Sequence, residues 1–472
     1  MNNASDDVRD LERIEQLKRI QPEKTRELND IGFSQLFAEL YKDELVYNVT
    51  AKCWYRYDGT RWIADVGSSY AAQQARSMYF VLNNYGRTVD GNQADVWLKA
   101  VGKYQDLRKR ETLIRDAQSL MRRTASDFDC NRNLLNCQNC TIDLTTGQPH
   151  DHTPNDYLTK VAGCDFSTSA DGSRWLNFLD EIMQGNQDKI AYLQRMAGYF
   201  LTAETYLETA FFLYGETTRN GKTTFVETLA AMLGDYASTV TAETLALTKN
   251  RGSETANPQI AGLAGCRFVR ISELPKRMML DVALFKHLTG GDMISARQLY
   301  QNPFQFVPEF KLCLNCNELP VVTDDTVFAS DRIRIITFDR HFERQEQNPR
   351  LKEELRSKEI LSAVLNWSLD GLFDFKKNGE QPPECVLTAT TQYKAKSDKI
   401  EVFLSDCLFK SEINTSGKAV YDAYQRWCAD NGFAVDGKGT LYSALRQKGM
   451  LKGTGTVNGK TERNVLAGYA VV

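Results

Sequence analysis

The sequence predicts an α/β protein with a largely parallel sheet, an α+β N-terminal domain and a compact C-terminal module. Three observations carry this. An apolar strand, Phe211-Phe-Leu-Tyr214, runs into a glycine-bounded loop and then a helix after Gly221-Lys-Thr-Thr224. Strands and helices alternate from there to about Phe342, as in parallel strands joined by helical crossovers. From about Ile400, two helical stretches precede two short strands around Asn458-Gly459, the outline of a winged helix.

In chain order, residues 1–29 are a charged tail or a short exposed helix; residues 1–30 hold eight acidic and six basic residues. Residues 30–165 form the N-terminal domain. There Trp54-Tyr-Arg-Tyr57, Asp58-Gly59 and Thr60-Arg-Trp62 read as a hairpin, because Asp-Gly supplies the positive φ of a tight turn. Its aromatic residues fit cross-strand packing better than stacking on bases. A mostly helical, proline-free stretch, 68–124, leads to a second hairpin signal at Leu134-Leu-Asn136 and Thr141-Ile-Asp-Leu144. Residues 166–205 are a helical connector, 206–345 the α/β core, 346–399 a helical segment and linker, and 400–472 the C-terminal module.

The chain has 472 residues, enough for about three domains. Lys plus Arg number 58 and Asp plus Glu 61, so the formal charge is −3. That balance excludes a uniformly basic nucleic-acid coat. Any DNA contact must be local, and residues 408–472 carry nine basic against five acidic residues. The polar, acidic start and the lack of a long apolar run predict a cytoplasmic protein with no membrane partner. Eleven scattered cysteines do not form a secreted disulfide pattern. Two C-x-x-C spacings occur, Cys137/Cys140 and Cys313/Cys316. The second lies in a strand-like run, where residues three apart face opposite ways, which argues against zinc.

The chemistry concentrates at Gly215-Glu-Thr-Thr-Arg-Asn-Gly-Lys-Thr-Thr224. Strand, loop and helix together are the context of a phosphate-binding P-loop, whose amides and helix N-terminus make an anion site. Gly215, Arg219, Asn220, Gly221, Lys222, Thr223 and Thr224 are the candidate nucleotide-binding residues. Lys222 is placed to reach the β- and γ-phosphates, and the Thr223 hydroxyl to ligate Mg²⁺. The loop is one residue longer than G-x-x-x-x-G-K-T. A β-rich run, Arg267-Phe-Val-Arg-Ile-Ser-Glu273, delivers Glu273 as the acid for Mg²⁺ or for the attacking water. Asn317, at the end of the strand Lys311-Leu-Cys-Leu-Asn-Cys316, can hydrogen-bond that water or the γ-phosphate. Arg332 and Arg334 precede an apolar strand and can serve a neighbouring subunit's ATP. A hairpin over 294–307 carries Tyr300-Gln-Asn-Pro303 at its tip.

Taken in order, these motifs resemble the superfamily 3 helicases of the AAA+ class, in the branch of phage and plasmid primase-helicases and poxvirus-like proteins. Leu288-Thr-Gly-Gly-Asp292, Asp331-Arg-Ile-Arg-Ile-Ile-Thr-Phe338 and Tyr192-Leu-Gln-Arg-Met-Ala-Gly-Tyr199 add to the match. The resemblance covers about residues 30–342. It implies an AAA+ P-loop ATPase core and a homo-oligomeric ring, a hexamer, with ATP and Mg²⁺ between subunits. It implies Glu273 as the acid that activates water, Asn317 as sensor, and Arg332, then Arg334, as the trans arginine. It implies single-stranded and forked DNA as partners, gripped in a central channel by Lys286, Arg297, Tyr300 and Phe304. A separate primase or initiator is a further partner, since the short N-terminal extension leaves no room for a primase domain.

The expected function is an ATP-dependent DNA helicase in phage or mobile-element replication, acting in a bacterial host cell. Two alternatives stand beside it. One is an ATP-driven initiator or loader that remodels DNA complexes without processive unwinding. The other is a ring scaffold whose ATP site only holds the assembly together.

Overall fold

The computed structural model describes residues 4–247, 258–272, 274–275, 278–297, 303–322, 326–396, 399–431, 433 and 435–471. The chain divides into two compact units, Met1–Ala162 and Gly163–Val472.

In the first unit, helices Asp30–Tyr41, Ser69–Gly86, Asn92–Gly102 and Leu107–Leu120 enclose an aromatic-rich core. Strands Trp62–Asp65, Cys53–Tyr57, Leu45–Asn48 and Arg122–Arg123 form one sheet in that order. The Asp58-Gly59 turn joins the expected hairpin, with Tyr57 opposite Trp62 and Gly59 at φ 103°. Trp54 and Trp62 are both buried, so packing within the unit accounts for them and neither can stack on a base. The second signal forms a three-stranded antiparallel sheet of Leu134–Asn136, Thr141–Asp143 and Gln148–His150.

The N-terminal segment departs from the sequence reading. It is neither a tail nor a free helix: Ala4–Ile20 docks onto the unit, with Leu17 fully buried in the core. Arg13 pairs with Glu44 at 2.5 Å and lies 4.2 Å over the Tyr41 ring. High charge density hid a single buried apolar seam.

In the second unit, five parallel strands are labelled here in chain order: β1 (Ala210–Tyr214), β2 (Ala237–Thr241), β3 (Phe268–Ser272), β4 (Lys311–Cys316) and β5 (Ile333–Thr337). Their spatial order is β5-β1-β4-β3-β2, every neighbouring pair parallel. Both faces are covered, as a parallel sheet requires. Alternation along β1 sends Phe211 toward Phe200 and Phe212 toward Phe285 and Tyr393. Helices Ser173–Met183 and Lys358–Asn378 pack against helix Lys222–Leu233, with Trp175 stacked on Phe225 and edge-on to Trp367, and helix Gln187–Leu201 packs on Lys358–Asn378. The Gln187–Leu201 and Lys358–Asn378 helices cross closely. A Cβ on Gly198 would lie 2.1 Å from the Leu372 nitrogen, and one on Gly371 2.0 Å from the Gln194 carbonyl.

The C-terminal module combines helices Gly417–Asn431 and Lys438–Gln447 with a hairpin of Leu451–Val457 and Lys460–Leu466. Asn458 (φ 49°) and Gly459 (φ 76°) both take positive φ in its two-residue turn, as Asn-Gly does in tight hairpins. Phe403, Tyr424, Trp427, Leu441, Leu445 and Leu466 form its core. Residues 343–350, expected to be helical, contain no helix; the helices there are Leu351–Glu354 and Lys358–Asn378.

Candidate nucleotide site

β1 is an interior strand of the sheet, between β5 and β4, and the loop at its carboxyl end leads into helix Lys222–Leu233, where α/β sheets bind ligands. Gly221 supplies the turn with φ 86°, and a Cβ there would meet the Ile182 side chain at 2.3 Å. Lys222 is 2% exposed. Its ammonium donates to the Gly215 carbonyl at 3.0 Å and to Asn317 Oδ1 at 2.9 Å. Burial pushes its pKa down to about 8, only slightly offset by the Cys316 thiol. Thr223 is exposed, and its Oγ1 accepts from Asn315 Nδ2 at 2.9 Å. Asn220 Nδ2 donates to the Thr217 carbonyl at 2.6 Å. Thr224 follows in the first helical turn, half-buried.

A strap after β5 holds the loop. Phe338 N donates to the Tyr214 carbonyl at 2.7 Å and Phe342 N to the Arg219 carbonyl at 3.0 Å. His341 Nδ1 lies 2.9 Å from the Thr218 carbonyl, so this nitrogen carries the proton. Arg219, at φ 58°, also donates to Gln347 Oε1. Lys189 anchors the start of the strap through Thr337 Oγ1 (2.7 Å) and Asp339 Oδ2 (2.8 Å). The strap takes the Thr218 and Arg219 carbonyls on one side. In planar trans peptides the N–H groups of Arg219 and Asn220 then point the other way. Among the described residues, no protein acceptor takes the backbone N–H of Thr217, Thr218, Arg219 or Asn220. Free amides, a helix N-terminus and a buried ammonium together fit a phosphate group.

The loop therefore gathers Gly215, Arg219, Asn220, Gly221, Lys222, Thr223 and Thr224 with Asn317. Asn315 and the strap residues His341 and Phe342 escaped the sequence reading. Asn315 is two residues from Asn317, a strand spacing that puts both on one face, and this signal was available. The strap was hidden because its contacts join loops far apart in sequence.

The remaining candidates lie elsewhere. Glu273 and Tyr300 fall outside the described residues. β3 ends at Ser272, whose register partner on β4 is Asn315. Arg332 pairs with Glu208 and donates to Thr289 Oγ1 at 3.0 Å. Arg334, with a side chain 9% exposed, makes a bidentate pair with Glu380, Nε to Oε1 at 2.9 Å and Nη2 to Oε2 at 3.0 Å. Burial alone would lower its pKa, and Glu380 more than reverses that. Arg334 is thus occupied within its own chain. Strands Ile294–Ala296 and Phe304–Phe306 pair as expected, Ala296 opposite Phe304. Arg297 is exposed beside them, while Phe304 is half-buried against the core. Lys286 donates to Thr326 Oγ1. Cys313 and Cys316 are buried in β4, and burial pushes the Cys316 thiol up to about 12. Among the described residues, no cluster of three or more His, Cys, Asp or Glu could hold a metal ion.

Residues 34–184 match the family model described as D5 N terminal like, and residues 213–332 match a family of unknown function, DUF5906. The chain is 27% identical over 321 residues to "Putative helicase L207/L206" of Acanthamoeba polyphaga mimivirus, covering 63% of this chain and 33% of that protein. It is 24% identical over 473 residues to "Putative helicase 121R" of Invertebrate iridescent virus 3, covering 84% and 50%. A Frog virus 3 protein, "Putative helicase 022R", is 28% identical over 232 residues, covering 46% and 24%. The chain thus spans half or less of the length of these relatives. Among solved structures, the apo NrS-1 C-terminal region aligns over 94% of this chain and 100% of that one, at 11% identity and TM-score 0.48. Over part of their length the chain is thus similar to viral proteins that carry helicase names. Among the described residues, no helix is long and apolar enough to cross a membrane.

Proposed function

We propose that the chain is an ATP-dependent DNA helicase motor of viral or phage replication, with a superfamily 3 AAA+ core over 206–345. The observation that carries this is the buried Lys222 ammonium on a loop with unpaired amides, at the carboxyl end of an interior parallel strand. The names of the viral relatives support the same reading.

In this account the Thr217–Asn220 amides and Lys222 bind the β- and γ-phosphates of ATP. Thr223, oriented by Asn315, and Glu273 would hold Mg²⁺, which would supply neutralising charge to the phosphates. Asn317 now accepts from Lys222. When a phosphate takes the ammonium, the Asn317 amide is released to sense the γ-phosphate. Glu273 orients the attacking water. Arg332 is the preferred arginine for a neighbouring subunit's site in a hexameric ring: its partner Glu208 is 45% exposed, whereas Arg334 is held in a bidentate pair by Glu380, which is 13% exposed. The hairpin bearing Arg297 and Tyr300 grips single-stranded DNA, and the C-terminal module serves as a winged helix.

Strand displacement on a forked duplex tests this. The wild-type chain should unwind the fork with ATP and Mg²⁺, and Lys222→Ala should lose unwinding and hydrolysis together. A Lys222→Ala chain that still unwinds would overturn the proposal. Turnover without any displacement would favour the loader reading.

A further inference from the structure

The first unit carries a cleft that the motor reading does not use. It lies between helices Ala4–Ile20 and Ser69–Gly86, has a volume of about 480 Å³, and is lined by Arg9, Asp10, Arg13, Arg76, Ser77 and Phe80 among others. Its floor is electrostatically satisfied. Arg13 is buried, bound to Glu44 at 2.5 Å and to Asp10 at 3.2 Å, and Asp10 also accepts from the Ser77 hydroxyl at 3.0 Å. Its rim is not. Arg9 and Arg76 are exposed and have no carboxylate partner among the described residues. Phe80, one turn after Arg76 on the same helix, lines the cleft with them and is 49% exposed although it is a large aromatic ring on a helix whose opposite face builds the core.

We infer that this cleft is a second binding site for single-stranded nucleic acid, separate from the ATPase core. A guanidinium on each helix can share one backbone phosphate, and the Phe80 ring offers a stacking face for the adjacent base. Arginine plus an exposed aromatic is the sequence-tolerant way to hold a single strand. The Asp10–Arg13–Glu44 floor keeps the two helices in register, so the rim is preorganised. A duplex hides its base faces and cannot use Phe80. An acidic peptide could use the arginines but would leave the ring idle.

The full-length chain, without nucleotide, is titrated with fluorescent oligothymidylate at several salt concentrations and photocrosslinked to a 4-thiothymidine version. Crosslinks should map to the peptide containing Phe80. Phe80→Ala should weaken binding at least about fivefold, as loss of one stacked base does. Arg9→Gln with Arg76→Gln should make the salt dependence shallower by about 0.7 in log–log slope, the value for one phosphate neutralised on a single strand. Lys222→Ala should leave these crosslinks unchanged, which separates this inference from the motor proposal. Three results would overturn it: crosslinks only elsewhere in the chain, affinity unchanged in both variants, or stronger loss with oligothymidylate annealed to its complement. Arg9, Arg76 and Phe80 are exposed, and unchanged thermal melting of their variants would exclude misfolding as the cause.

Discussion

Replacing Glu380 by alanine tests whether Arg334 is a structural residue. The substitution leaves a guanidinium that is 9% exposed without its bidentate partner, and it removes the acceptor of the Tyr192 hydroxyl at 2.7 Å. Losing one partner of a buried ion pair costs about 3–5 kcal/mol, chiefly the penalty of the stranded charge. Glu380 itself is 13% exposed, so water reaches the rim and the lower end, about 3 kcal/mol, is expected. For a unit of this size that lowers the melting midpoint by roughly 5 °C. Thermal unfolding followed by tryptophan fluorescence reads it, since Trp175 and Trp367 are buried in the same unit. Arg334→Met with Glu380→Leu should recover most of the loss, because removing both charges leaves none stranded. A midpoint within a degree of wild type in Glu380→Ala would refute the reasoning. So would an Arg334→Ala chain of full stability whose lost ATPase returns on mixing with Lys222→Ala subunits.

Other substitutions probe the loop and its supports. Lys222 has a folded pKa near 8 against about 10.5 when unfolded, so the unfolded chain binds more protons between those values. Stability should therefore rise as pH climbs from about 8 to 10.5, by up to roughly 3 kcal/mol, and Lys222→Met should abolish that rise in urea titrations. A phosphate in the loop favours the charged ammonium, so ATP binding near pH 8 should take up a fraction of a proton; calorimetry in buffers of different ionisation enthalpy would find none if the site were misassigned. His341→Ala removes the donor to the Thr218 carbonyl and should raise the KM for ATP by about fivefold, the worth of one hydrogen bond, with kcat changed less and His341→Asn partly restoring it. Gly198→Ala would drive a methyl group into the Leu372 backbone and should destabilise the second unit by about 1–3 kcal/mol or more, visible as a lower denaturant midpoint.

Local signals were legible in the sequence. The strand–loop–helix over residues 210–233, the Asp58-Gly59 and Asn458-Gly459 hairpins, and the strand before Asn317 all form where turn chemistry and apolar patterning place them. Each depends on residues close in sequence. What escaped depends on partners far away. The Arg334 pair joins positions 46 apart, and nothing near Asp331 betrays that a glutamate after the next helix will reach back. From Glu343 on the chain reads as helical and charged, yet helix begins only at Leu351, and the stretch before it is spent on the loop after β1. The first helix reads as a solvated tail because its charges outnumber the one buried leucine that docks it. Alternation placed Cys313 and Cys316 on opposite faces of β4, and the same alternation puts Asn315 on the face of Asn317.

The central claim is that Lys222 and its loop drive a DNA-coupled ATPase. The most direct measurement is the ATP turnover rate of the wild-type chain and of Lys222→Ala, each with and without single-stranded DNA. The account requires wild-type turnover that single-stranded DNA stimulates, and none from Lys222→Ala under either condition. Turnover that DNA leaves unchanged, or turnover that survives in Lys222→Ala, would contradict it.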